Sequence, residues 1–201
     1  MPKSKRMLIG WIVSIGTLLT GLELLSIFSP GGDFGPYLHY LDYMSLANTL
    51  VPLPTNPLII YMGREFQPSA VALLGAIGTS IANMTEYLFL DLLLAQDRLR
   101  RVKETAIYRR TKRAFEVAPF ILMVAVNLVP LPIDPVRWMA ISVTYPRWRY
   151  VLATFLGRLP RYYLLAELGD RYQLSNRVIL IILAATVVPV LVRKILSRAR
   201  K

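Results

Sequence analysis

Read for hydrophobic patterning, the chain is a series of long apolar runs separated by short polar or proline-rich breaks. Met7 to Ser29 is the first run, preceded by Lys3, Lys5 and Arg6. It is long enough to cross a hydrocarbon core, which takes about 20 residues. A secretory signal has a shorter apolar region and a small-residue cleavage site, and Ile27-Phe28-Ser29-Pro30 supplies no such site, so the run reads as a retained span. After a turn from Pro30 to Pro36, a second stretch reaches from Tyr37 to Tyr61 but is broken by Pro52, Pro54 and Pro57. Pro68 to Gln96 is continuous, Asp97 to Arg113 is polar, and Phe115 to Val143 is broken again by Pro130, Pro132 and Pro135. Arg147 to Leu168 and Val178 to Val192 close the series.

The two broken stretches are copies of one another. Leu50-Val51-Pro52-Leu53-Pro54-Thr55-Asn56-Pro57-Leu58 returns 78 residues later as Leu128-Val129-Pro130-Leu131-Pro132-Ile133-Asp134-Pro135-Val136, identical at six of nine positions. The same offset pairs Ala47 with Ala125, Pro68 with Pro146 and Leu74 with Leu152. Three prolines within six residues cannot sit in one straight helix, because each removes an amide donor and clashes with the preceding turn. Each motif is therefore expected at the tip of a re-entrant helical hairpin. One crossing separates the two motifs, so the hairpins enter from opposite faces as an inverted repeat. Irregular backbone at membrane depth is tolerated where it is buried in protein or lines a water-filled cavity. The tips are thus expected to meet near the midplane around a polar site.

Charge then orients the chain. Of 201 residues 55% are hydrophobic and 18% charged, below the roughly 25% of soluble domains, with 24 Lys and Arg against 12 Asp and Glu. A basic protein this apolar suits a membrane and does not suit a nucleic-acid binder, which carries its cations on a hydrated face. If each broken stretch leaves on the side it entered, the N-terminal cations, the block 98–113, Arg147 with Arg149, and the tail cations share one side. That places 18 of the 24 cations together, on the cytoplasmic side by the positive-inside rule. The expected architecture is an all-α polytopic membrane protein, open to homo-oligomer formation, with both termini cytoplasmic and the cell membrane as its location. It comprises an N-terminal helix and turn (1–36), a core (37–170), and a C-terminal helix with basic tail (171–201). Within the core, hairpin 1 spans about 37–66, a transmembrane helix 68–96, the basic segment 97–113, hairpin 2 about 115–145, and a second transmembrane helix 147–169.

Three cations are left inside apolar sequence: Arg137, Arg158 and Arg161. An ionisable group at membrane depth costs at least about 2.5–3.5 kcal/mol and usually faces a pathway. A guanidinium can hold a phosphate through two hydrogen bonds, so these three are the candidate binders of a lipid phosphate. The alternative is pairing with buried acids, Asp134 with Arg137, and Glu86 or Glu167 with Arg158 or Arg161. Pro160, between the two arginines, is expected to loosen their helix. Pro54, Pro132, Asn56, Asp134 and Asn127 would shape the hairpin tips and the polar cavity. Glu23, Glu86 and Asp134 are candidates for proton coupling, although Glu23 also lies close enough to a helix end to reach the interface. Tyr162, Tyr163 and Trp148 read as packing or interface residues, and Gly75 and Gly78 as close helix-packing positions.

The two Pro-rich hairpins, the stretch from Gly75 to Tyr87, and Tyr150-xxx-Thr154-xx-Gly157-Arg158-Leu159-Pro160-Arg161 running to Leu168-Gly169 resemble the DedA, or SNARE-associated/VTT-domain, family of small membrane proteins. The resemblance covers roughly residues 40–170 and its last segment is nearer the VTT branch. It implies facing re-entrant hairpins and movement of phospholipids or polyprenyl phosphates between leaflets. Ala47 and Asn56 stand where DedA proteins typically carry acids, and Asn127 where a basic residue is common, which favours a passive or otherwise driven lipid path over proton coupling.

The expected function is therefore lipid transport or scrambling, with membrane lipids as partners and no cofactor. A membrane scaffold acting through the basic segment 98–113 is the competing reading. An enzyme is not expected. The chain has no cysteine and one histidine, His39, no G-x-S-x-G elbow, and no carboxylate cluster of metal-ligand spacing.

Overall fold

A computed structural model describes residues 3–28, 34–47, 53–94, 115, 117–129, 134–185 and 188. Their regular structure is wholly helical, in agreement with the all-α expectation. We number the helices α1 (Lys3–Phe28), α2 (Gly35–Ala47), α3 (Asn56–Glu65), α4 (Pro68–Leu94), α5 (Pro119–Leu128), α6 (Asp134–Ser142), α7 (Arg147–Tyr172) and α8 (Asn176–Ala185).

Proline sets most of the boundaries. α3 carries Pro57 in its first turn, where the missing N–H would have had no partner in any case. Pro119 does the same for α5, and Pro68 and Pro146 stand at the starts of α4 and α7. α3 ends at an extended Phe66 and α5 at an extended Val129; Val129 precedes Pro130, and a residue before proline favours that conformation. α7 ends at Gln173, in the left-handed region with φ 44°, whose N–H returns to the carbonyl of Gly169. α7 runs from Arg147 to Tyr172 with Pro160 inside it, where the missing amide donor removes one bond of the helical ladder.

The long helices α4 and α7 pack along each other at the centre. α2 packs on α4 and α3 on α7, while α5 packs on α7 and α6 on α4. Adding 78 to the residue numbers carries α3 onto α6 and α4 onto α7, and it exchanges these four pairings among themselves. Tyr40, Met44, Ile59, Val71 and Tyr162 form one buried core. Tyr87, Met123, Met139, Ile141 and Tyr150 form another. Glycines permit the closest approaches: a Cβ on Gly63 would meet the backbone of Ala166, one on Gly169 that of Ile60, and one on Gly157 the carbonyl of Val124. Gly75 faces Tyr40 and Gly78 faces Met44, the helix-packing role expected of them.

Among the described residues, α1 is the one helix long and apolar enough by itself to cross a membrane, at mean hydropathy 1.7 over Lys5–Leu24. It lies against α4 and α2 and buries little of its surface. α7, by contrast, carries seven charged residues in its 26.

Candidate functional site

Arg158 and Arg161 of α7 reach in different directions. Arg158 is 4% exposed; its Nε donates to Asn127 Oδ1 at 3.2 Å and its Nη1 to the Tyr162 hydroxyl at 3.0 Å. Arg161, one turn further on, donates from Nη2 to Asn56 Oδ1 at 3.2 Å. Asn56 opens α3 within the first Pro motif, and Asn127 sits near the end of α5, just before the second. A single turn of α7 thus holds one amide from each repeat.

The Tyr162 hydroxyl extends the network. Thr79 Oγ1 donates its one proton to the Gly75 carbonyl at 2.7 Å, so the 3.0 Å contact between Thr79 and Tyr162 is donated by the tyrosine. The result is a directed chain from Arg158 through Tyr162 and Thr79 to a backbone carbonyl of α4. Asn127 is fixed by its own Nδ2, which donates to the Met123 carbonyl at 2.7 Å. Arg158 therefore meets oriented, neutral oxygens, and no carboxylate pairs with it among the described residues.

Arg137 is different. Its Nη1 lies 2.8 Å from Glu86 Oε2 and its Nη2 2.6 Å from Asn83 Oδ1, tying α6 to α4. Glu86 is thus the partner of Arg137, not of Arg158 or Arg161, because the α4 face that carries it is turned toward α6. Glu167 does not reach the buried arginines either; one turn before Arg171, it pairs with that residue at 2.7 Å at the protein surface. Glu23 meets His39 at 3.1 Å between α1 and α2, away from the arginines. The Pro54 carbonyl accepts from the Tyr43 hydroxyl at 3.2 Å. Pro132, the Asp134 side chain and the basic segment 98–113 lie outside the described residues.

Asn83, Thr79 and Tyr150 also belong to this site, as does Tyr162, a packing or interface residue by sequence alone. Thr79, Asn83 and Glu86 are spaced by four and three, a polar stripe on one face of an apolar helix, and that spacing is the signal that could have found them. Tyr150 is fully buried within electrostatic reach of Arg137, Glu86 and Arg158. Its hydroxyl and Asn83 Nδ2 have no hydrogen-bond partner among the described residues. Two donors beside two buried guanidinium groups leave the centre of the protein rich in groups that favour an anion.

A family model described as the VTT domain matches residues 53–171, more than half of the chain. The chain belongs to the VTT-domain family. This is the membrane-associated DedA/SNARE-associated group that the Pro-rich motifs and the Gly157-Arg158-Leu159-Pro160-Arg161 segment resemble. No curated protein and no solved structure matches the chain. The VTT match begins inside the first Pro motif and ends with α7, so it contains Asn56, Asn83, Glu86, Asn127, Arg137, Arg158 and Arg161. Glu23, His39 and the whole of α1 lie outside it.

Proposed function

We propose that this VTT-domain protein is a multi-pass membrane protein that moves phosphate-bearing lipids between leaflets in the manner of a scramblase. The observation that carries the reading is the pair Arg158 and Arg161, held one turn apart by neutral amides from the two Pro-broken segments. A phosphate brings a full opposite charge and can accept two parallel hydrogen bonds from a guanidinium, whereas the amide oxygens of Asn127 and Asn56 carry no charge and each accept one. A phosphate can therefore take these guanidinium groups from Asn127 and Asn56, and the exchange loosens both segments from α7 at once. Arg137, already neutralised by Glu86, serves to join α6 to α4 and is assigned no headgroup.

The exchange of helix pairings under the 78-residue offset supports an inverted repeat of two re-entrant hairpins. In that topology both termini face the cytoplasm and the cell membrane is the location. The work is physical transfer with no covalent step, and it needs no cofactor. Purified protein in liposomes should accelerate transfer of a labelled anionic lipid between leaflets, and Arg158→Ala or Arg161→Ala should slow it. Wild-type rates in both variants, with the fold retained, would remove the headgroup role.

A further inference from the structure

A groove of about 840 Å³ runs between α1, α4 and α7. Trp11 lines it from α1, Ile81 and Met84 from α4, and Val151 and Phe155 from α7, with Arg147 at one end. From Arg147 to Phe155 is a rise of about 12 Å at 1.5 Å per residue. One leaflet contributes about half of a hydrocarbon core roughly 30 Å thick, so the groove has the depth of a single acyl chain.

Its mouth is cationic. Arg147 Nη1 donates to the Met7 sulfur at 3.0 Å, which brings the chain neighbours Lys5 and Arg6 to the same end. Arg149 stacks on the exposed Trp148 ring, 5.1 Å from its centroid, an aromatic and cation pair suited to the headgroup level. Asp91, 3.3 Å from Arg147 Nη2, is the carboxylate that meets these cations among the described residues. The wall contributed by α1 is held thinly, with Trp11 Nε1 donating to Thr85 Oγ1 at 3.0 Å as a polar tie beside the Met7 contact.

The geometry points to a seat for one anionic glycerophospholipid of the leaflet on the basic side. An acyl chain fills the groove and the phosphate lies over Arg147 and Arg149, wedging α1 against the VTT core. This seat rests on the membrane reading above but needs no transfer between leaflets, and it is built partly from a helix outside the VTT match. A second copy related by a two-fold axis is a poorer occupant, because it would set one cationic mouth against another.

Native mass spectrometry of the detergent-purified full chain, incubated with phosphatidylglycerol or phosphatidylcholine, tests this without any transport readout. The wild type should retain phosphatidylglycerol several-fold more than phosphatidylcholine. Val151→Trp, which fills the groove, and Arg149→Gln, which leaves the Arg147–Asp91 pair intact, should each lower that retention to the phosphatidylcholine level. Thermal unfolding provides the second measurement: phosphatidylglycerol should raise Tm for the wild type and not for a folded Val151→Trp variant. Equal retention of the two lipids, unchanged retention in both variants, or a dimer that Val151→Trp dissociates would each overturn the seat. Loss of transport with lipid retention preserved would count against the proposed function and leave the seat standing.

Discussion

Arg137 and Glu86, 51 positions apart in the chain, meet at 2.8 Å with both side chains largely buried between α6 and α4. Removing one partner of such a pair leaves an uncompensated buried charge and typically costs about 3–5 kcal/mol, whereas replacing both with apolar residues can be nearly neutral. Arg137→Met and Glu86→Leu are each expected to lower the stability of the detergent-solubilised protein by several kcal/mol, and the double variant to recover most of that loss. Additive losses in a double-mutant cycle from thermal or denaturant unfolding would show that the pair is not coupled.

Asn127 and Arg158 make the complementary case, a buried cation facing a neutral amide at 3.2 Å. Asn127→Asp places a carboxylate of the same size where the amide oxygen stood. It is expected to stabilise the fold and to slow lipid transfer, since a phosphate must then compete with a charge already in place. Stability and transfer rate should therefore move in opposite directions. A variant that is both more stable and as fast as the wild type would argue that Arg158 is never exposed to a headgroup.

The helical class and the proline-set boundaries were legible in the sequence because they depend on local chemistry. A proline fixes φ and removes a donor wherever it stands, so the starts of α3 at Asn56 and α6 at Asp134 follow from the motif itself. The partners of the arginines were not legible. Which acid Arg137 meets depends on how α4 is rotated toward α6, and that rotation is set by close approaches elsewhere, such as those at Gly75, Gly78 and Gly157. Glu86 and Glu167 stand among apolar residues like Arg158 and Arg161, but the helix faces that carry them turn to Arg137 and Arg171. By sequence Tyr162 is a packing residue, as an aromatic in an apolar helix usually is, and its hydroxyl gains a role once Thr79 and Arg158 are on either side.

The glycines give a contrast in sign. Glycine inside a helix costs about 0.5–1 kcal/mol relative to alanine, so alanine is favourable wherever there is room for it. Gly16 on α1 has nothing near its added Cβ, and Gly16→Ala should leave Tm unchanged or slightly higher. Gly63 and Gly169 have backbone in the way, so Gly63→Ala or Gly169→Ala should push α3 off α7 and lower Tm by several degrees. Because Asn56 rides on α3, the same two variants should also weaken its bond to Arg161 and reduce lipid transfer. Equal effects at Gly16 and Gly169 would contradict the close α3–α7 packing.

Tyr162 can be tested by removing one atom. Tyr162→Phe deletes the hydroxyl that accepts from Arg158 and donates to Thr79, in a residue only 2% exposed. A buried group left without its partner costs about 1–3 kcal/mol. The expected outcome is a stability loss of that order with helix content unchanged by circular dichroism; Thr79 keeps its bond to the Gly75 carbonyl, so the loss falls on the Arg158 guanidinium and Tyr162→Phe/Thr79→Val should bring no rescue. No loss in the single variant would mean that the donor chain contributes nothing.

Topology is open to the most direct test, because the natural chain contains no cysteine and any introduced thiol is unique. Asn56→Cys and Asp134→Cys stand at equivalent positions of the repeat, each the first residue of a helix and separated by 78 positions. In an inverted repeat the two thiols open toward opposite faces. A membrane-impermeant maleimide added outside sealed vesicles should therefore label one of them, and the other only after the vesicles are inverted or opened. Labelling of both cysteines from the same face would exclude the inverted arrangement, and the helix pairings exchanged by the 78-residue offset would then reflect a parallel duplication.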